Sequence, residues 1–305
     1  MSEAPSPEYH ELIAHEGRKW GGHLDVEADG GWWAWTDHPL IRQHFTELAT
    51  VDGVGWEAYV QRHLGRPAHT SLDLGCGAGM RSRFVWEIGS VGTVEGLDVS
   101  ADRVAEAERW RNELGLPGGF RVEDVNTVQL PKNKYDLVFS AHSFHHFVEL
   151  EHICAQVHDS LTDDGIFVLE EFVGPTQFQW TDLQIGIVKS LLAMVPDDLR
   201  QLRWGATKLW EGRPTVEEVV AESPFESIRS AEILPIFQDT FEVVALRPLG
   251  GTLQHLLYNG IMHNFVLDDP RTAGLIEGIY GMEDSLITAG VLPSDFMLLV
   301  GRKRA

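Results

Sequence analysis

The segment SLDLGCGAGM, residues 71–80, restricts the possible folds more than any other stretch of this chain. An apolar run closes on Asp73 and is followed at once by Gly75, Gly77 and Gly79, the pattern of a buried strand turning sharply into a helix. Glycine is needed where backbone must adopt left-handed angles or pass close to a ligand, and N–H groups at such a turn can cradle a polar or anionic group. The spacing is not the G-x-G-x-x-G of dinucleotide enzymes, because GCGAG lacks a glycine at the third position of that pattern. A nicotinamide dehydrogenase is therefore set aside.

Downstream, short apolar runs alternate with helical patterns. A helix is expected over residues 80–88, then the strand TVEGLDVS ending near Asp98, with Ser100 placed to cap a helix carrying Val104, Ala107, Trp110 and Leu114 on one face. FRVEDV and KYDLVFS read as the next two strands, a helix follows over residues 149–161, and DDGIFVLEEF reads as a turn and a strand. This alternation is that of an α/β chain with a doubly wound parallel sheet, which binds ligands at the carboxyl ends of its strands. Asp73, Asp98, Asp124, Ser140 and Glu170 all fall at such ends. Residues 1–66 precede the first core strand and are read as a helical lid, with Arg66-Pro67 as a short linker into a domain of residues 67–305. Helix-like sequence at about 174–225 interrupts the sheet and is read as a cap insertion.

The 46 acidic and 24 basic residues give a formal net charge of −22, a field that repels a polyphosphate backbone, so nucleic acid is not expected as a partner. Two cysteines, Cys76 and Cys154, are too few for a disulfide framework. The first residues, MSEAPSPEYHEL, lack the basic and apolar regions of a signal peptide, and no apolar run reaches membrane-spanning length. The expectation is a cytoplasmic protein with no membrane partner; a homo-oligomer is left open.

The acidic strand ends suggest the ligand. Asp98 can accept both hydroxyl protons of a ribose, and Asp124 with the adjacent backbone of Val125 can receive an adenine amino group, which together fit an adenosine. With DLGCGAG, GLDVS, VEDV, YDLVFSAHSFHH and LTDDGIFVLEE in this order, the chain resembles the class I S-adenosylmethionine-dependent methyltransferases over residues 68–173. FEVVALRPL and DFMLLVGRK fit the last two strands of that fold. The resemblance implies a Rossmann-like, seven-stranded, mostly parallel sheet whose last strand is antiparallel. It also implies S-adenosyl-L-methionine as cofactor, with Asp73, Gly75, Gly77 and Gly79 at its methionine portion, Asp98 on the ribose, Asp124 and Val125 at the adenine, and Ser140 beside it.

The methyl acceptor is sought outside these motifs. SAHSFHHF stands where nucleic-acid amino-methyltransferases carry an Asn/Asp-Pro-Pro-aromatic stretch, and no clustered carboxylates suggest the metal site of a catechol enzyme. Trp20, Trp32, Trp33, Trp35 and Trp56 precede the sheet and Trp180, Trp204 and Trp210 fall in the cap, so eight of ten tryptophans lie in the extensions, where they either pack them onto the sheet or wall an apolar chamber. Arg200, Arg203, Lys208 and Arg213 form the densest basic cluster, either a solvated face or a site for an anionic head group. Glu170, pointing into the crevice with Glu171 opposite, can stabilise a carbocation and remove its neighbouring proton. His145 and His146 are open to a role as base in O- or N-methylation of an aromatic natural product.

GWWAWTDHPL, VLEEFVGP, RWGATKLWEGR and GGTLQHLLYNGIMHNF give the chain a further resemblance to bacterial prenyl diphosphate C-methyltransferases. That resemblance implies a small-molecule prenyl diphosphate as partner, methylation at C6 of geranyl diphosphate, Glu170 as base, Trp210 bounding chain length, and Mg²⁺ held with the diphosphate. The spacing assigns no ligands to the magnesium.

Overall fold

The computed structural model describes residues 6–21, 34–50, 55–203, 205–209 and 212–304. Seven strands, β1 (Ala68–Leu74), β2 (Val91–Asp98), β3 (Gly118–Val122), β4 (Tyr135–Ala141), β5 (Leu161–Phe172), β6 (Glu242–Gly250) and β7 (Phe296–Arg302), form one sheet in the order β3-β2-β1-β4-β5-β7-β6. All pairings are parallel except those of β7, which runs antiparallel to both β5 and β6. The expected seven-stranded Rossmann-like architecture is thus the observed one. Strand order reverses at β1 and β4, and a crevice opens outside the carboxyl ends of those two strands.

The central strands are covered on both faces, as parallel strands must be when helices cross over them. Residues 135–140 are buried without a break, and alternate side chains serve opposite layers. Leu137 and Phe139 pack with Ile166, Val168 and Leu298 on one face, while Val138 packs with Phe167, Leu169 and Phe237 on the other; Tyr135 joins the second group because the register shifts between it and Leu137. The same alternation sends the neighbours Glu170 and Glu171 to opposite sides of β5.

Outside the sheet lie α1 (Pro7–Gly21), α2 (Pro39–Leu48), α3 (Trp56–Leu64), α4 (Met80–Glu87), α5 (Ala101–Leu114), α6 (Leu150–Ser160), α7 (Asp182–Met194), α8 (Val216–Glu222), α9 (Ser230–Thr240), α10 (Gln254–Tyr258) and α11 (Pro270–Thr288). Ser100 stands at the N-cap of α5 as expected, but its hydroxyl caps nothing. The Ser100 N–H donates to Asp98 Oδ1 at 2.8 Å, which ties the strand-end carboxylate to the start of the helix. Helix α1 lies against the carboxyl end of β2, so closely that a Cβ on Gly17 would meet the Val99 carbonyl oxygen at 2.8 Å.

The insertion read as a cap is fastened to the β7 side of the sheet. Trp180 Nε1 and Gln184 Nε2 both donate to Asp295 Oδ2 at 3.1 Å, and Phe178 stacks on Trp180. No helix among the described residues is long and apolar enough to cross a membrane.

Candidate active site

A cavity of about 1040 Å³ occupies the crevice and is walled by the glycine turn, the ends of β2, β4 and β5, and helices α1, α2 and α3. Its floor is the expected turn. Gly75, Gly77 and Gly79 all have positive φ, of 70°, 52° and 75°. A Cβ at Gly75 would collide with Ser143 and one at Gly79 would lie 2.6 Å from Trp110, whose indole N–H donates to the Ala78 carbonyl, whereas at Gly77 the nearest atom is 3.4 Å away. Gly77 is therefore the glycine with room above it for a ligand, and its flanking glycines let the turn pack.

Asp98 and Asp124 line the cavity with Val125. Asp98 Oδ2 accepts from Gly77 N at 2.8 Å, which fixes the carboxylate over the turn. Burial raises its pKa against the hydrogen bonds from Ser100 and Gly77. Asp124 Oδ1 accepts from both the backbone and side-chain nitrogens of Asn126 at 2.9 Å, and its Oδ2 accepts from Tyr9 of α1 at 2.8 Å. Asp73 and Ser140 lie beneath the turn, outside the cavity wall. Asp73 accepts from Ser82 Oγ at 2.6 Å, and burial pushes its pKa up to about 7. Ser140 donates to the Leu74 carbonyl at 2.8 Å.

Glu170 lines the opposite side of the cavity and is 8% exposed. Arg81 Nη2 lies 2.9 Å from its Oε1, Trp56 Nε1 donates to its Oε2 at 2.8 Å, and His142 Nε2 stands 3.2 Å from Oε1. Burial alone raises its pKa, but Arg81 first, then His142 and Trp56, hold it at about 2. The second arm of Arg81 pairs with Glu57 Oε1 at 2.8 Å. The result is a carboxylate that stays ionised, with Trp56 against it, in a largely apolar chamber whose wall also includes Trp20, Phe45, Phe84, Phe147 and Phe225.

Other expectations are corrected by these positions. The basic cluster does not reach the cavity. Lys208 is buried and its Nζ donates to the Leu256 and Asn259 carbonyls at 2.8 and 2.7 Å; Arg213 donates to the Trp180 carbonyl at 2.7 Å and pairs with Asp182; Arg200 pairs with Asp197; and Arg203 is exposed outside the cavity wall. Lys208, Arg213 and Arg200 are thus engaged by backbone carbonyls and by the acids Asp182 and Asp197. The guanidinium groups at the cavity belong instead to Arg42, Arg81 and Arg103. His145 also lies off the cavity, its Nδ1 2.5 Å from Glu171 Oε1, and it is held protonated with its pKa near 10 by Glu171 and Glu226 despite burial. Among the tryptophans, Trp20 and Trp56 line the chamber, Trp35 and Trp180 are packed in the core, and Trp32, Trp33, Trp204 and Trp210 lie outside the described residues. Arg81, His142, Tyr9 and Glu16 were not legible as site residues, since each has a partner, Glu170, Glu170, Asp124 and Ser223 respectively, that lies 28 to 207 positions away in the chain.

Residues 72–169 match a family described as a methyltransferase domain. That segment is about a third of the chain. The matched segment runs from the strand before the glycine turn almost to Glu170. Squalene methyltransferase 2 of Botryococcus braunii is 26% identical over 173 residues, covering 55% of this chain and 46% of that protein. Sphingolipid C9-methyltransferase 2 of Gibberella zeae is 29% identical over 122 residues, covering 38% of this chain and 23% of that one. The alignments thus span less than half the length of these curated relatives. Among solved structures, the geranyl diphosphate C-methyltransferase from Streptomyces coelicolor A3(2), in complex with Mg²⁺, geranyl-S-thiolodiphosphate and S-adenosyl-L-homocysteine, is 15% identical with a TM-score of 0.48, covering 82% of this chain and 75% of that one.

Proposed function

We propose that this chain is an S-adenosylmethionine-dependent C-methyltransferase that methylates the distal alkene of geranyl diphosphate at C6. In this reading the activity is that of the geranyl diphosphate C6-methyltransferase of benzastatin biosynthesis, which the chain's motifs resemble. The observation that carries the reading is an ionised, triply held Glu170 facing an aromatic cavity across from the donor turn. The alkene π pair attacks the sulfonium methyl, a C–C bond forms as the C–S bond breaks, and S-adenosylhomocysteine leaves. The resulting tertiary carbocation is attracted to the Glu170 carboxylate and to the indole faces of Trp20 and Trp56. Glu170 then accepts a proton from a carbon next to the cation, and the C–H pair restores an alkene. A proton beside a carbocation is so acidic that a base with a pKa near 2 suffices; what matters is that the carboxylate is charged and fixed.

In this reading the donor adenosine lies between Asp98 and Asp124 under α1, and the diphosphate lies toward Arg42, whose exposed guanidinium at the rim pairs loosely with Asp37 at 3.6 Å. Two curated relatives named for squalene and for sphingolipid C9 support carbon as the acceptor. Among the described residues no group of three carboxylates converges beside Arg42 to suit magnesium, so no step is routed through that ion. O- or N-methylation of an aromatic natural product with His145 or His146 as base is less favoured, because His145 lies off the cavity between two carboxylates and the Nδ1 of His146, which does line the cavity, is already 3.0 Å from Glu16 Oε1. The test is incubation with methyl-labelled S-adenosylmethionine and a panel of geranyl diphosphate, farnesyl diphosphate, geraniol and phenols. Label on carbon of geranyl diphosphate is expected; label on a phenolic oxygen and none on the prenyl diphosphate would refute the assignment.

A further inference from the structure

Glu171 points away from the reacting side of β5, and what it touches has no part in the chemistry above. Its Oε1 lies 2.5 Å from His145 Nδ1, while its Oε2 accepts from the backbone nitrogens of Ser143 and Phe144. The far side of the His145 ring, Nε2, faces Glu226 Oε1 at 3.5 Å. The next residue repeats the arrangement. His146 Nδ1 stands 3.0 Å from Glu16 Oε1, and its Nε2 faces Glu226 Oε2 at 3.9 Å. Glu16, from α1, is buried and also receives Trp20 Nε1 at 2.7 Å and Ser223 Oγ at 2.9 Å.

Two imidazoles thus have one ring nitrogen close to a buried carboxylate and turn the other toward a shared third carboxylate. The contacts to Glu226, at 3.5 and 3.9 Å, are too long for good hydrogen bonds. They approach instead the ~3.4 Å that separates donor atoms around a tetrahedral ion with bonds of about 2.1 Å. One donor atom from each of His145, His146 and Glu226 lies within 4.8 Å of the others, and all three residues are only partly exposed. A carboxylate behind each ligating histidine is the arrangement that fixes its tautomer and strengthens its binding.

We propose that His145, His146 and Glu226 form a binding site for a divalent transition-metal ion of the zinc, cobalt or manganese class, and that this ion clasps the lid helix α1 to the sheet through Glu16. Two imidazoles and one carboxylate suit such ions better than magnesium, which favours oxygen ligands. The three ligands come from the turn after β4 and the turn before α9, and Glu16 behind His146 comes from the helix lying over the donor cleft, so occupancy couples the lid to the sheet. The ion takes the Nε2 lone pairs, any proton on those atoms passes to solvent, and no redox change is involved. The site is independent of which acceptor is methylated.

The test is titration of the chelator-stripped full chain with Co²⁺, read by visible d–d absorption, with zinc retention read by elemental mass spectrometry. Saturation near one equivalent is expected, with Mg²⁺ unable to compete, and the signal should be lost in Glu226→Gln and His146→Ala proteins that retain the parent circular dichroism spectrum. Hydrogen exchange of the α1 amides should slow when the ion is added. Absence of a saturable cobalt spectrum in the unmutated protein would overturn the site and leave an ionic Glu–His chain in its place. Binding without any change in α1 exchange would overturn the clasp.

Discussion

Replacing Glu170 by glutamine separates charge from shape at the proposed base. The amide has the volume of the carboxylate and can still accept from Trp56 Nε1, and Arg81 keeps Glu57 as a partner at 2.8 Å. The stability loss should therefore stay below the ~3–5 kcal/mol of a buried pair left wholly broken. The effect on turnover is larger. A carboxylate about 4 Å from a unit positive charge, at an effective dielectric constant near 20, stabilises it by roughly 4 kcal/mol. Loss of that attraction slows transfer by about a thousandfold, before the loss of the base is counted. Single-turnover transfer of labelled methyl to geranyl diphosphate measures this, with calorimetric affinity for S-adenosylhomocysteine as the control. That affinity should be nearly unchanged, because Gly77, Asp98 and Asp124 make no contact with Glu170. A Glu170→Gln protein within tenfold of the parent rate would refute the carbocation-quenching role.

Arg42→Ala should raise KM for geranyl diphosphate at least tenfold while leaving KM for the donor alone, whereas Arg213→Glu should lower the melting temperature with little change in either; the opposite ranking would return the head group to the insertion. Tyr9→Phe removes a hydrogen bond to the Asp124 carboxylate that joins α1 to the adenine end of the cleft. A charge-assisted bond of ~1.5–3 kcal/mol predicts donor dissociation ten- to a hundredfold faster in stopped-flow measurements, and unchanged dissociation would show that α1 does not hold the donor. Asp73 ionises near pH 7 in the folded chain because burial disfavours its charge. Its folded pKa lies above the unfolded value, so its stability contribution is full below about pH 4 and is lost as pH rises through about 7. In urea denaturation, Asp73→Asn should reduce the drop in stability between about pH 5 and pH 8, and an unaltered drop would assign it to other groups such as Asp295, also near 7.

The parts of the site that were legible in the sequence are those made within one strand–turn–helix unit. Asp73, the three glycines and Asp98 reveal themselves because left-handed backbone and strand-end acids are local requirements, satisfied within a few residues. The opposition of Glu170 and Glu171 follows from strand alternation alone. The basic cluster misled because a run of cations announces an anionic partner but not which one; here the partners are backbone carbonyls and the acids Asp182 and Asp197. Likewise, tryptophan content pointed to an aromatic chamber, yet packing sent Trp35 and Trp180 into the core and brought Trp20 and Trp56 to the cavity.

By itself the sequence determined the order of strands and helices, the left-handed glycine turn and the row of carboxylates at the strand ends, because each depends on steric rules acting over a few neighbouring residues. Only the tertiary structure decided which of those carboxylates is charged and what it faces. That depends on Arg81, Trp56 and His142 converging on Glu170, and on Glu16 and Glu226 closing around two histidines, from segments far apart in the chain. Ionisation in a low-dielectric interior is set by the sum of burial and nearby charges, and that sum exists only once the chain has folded.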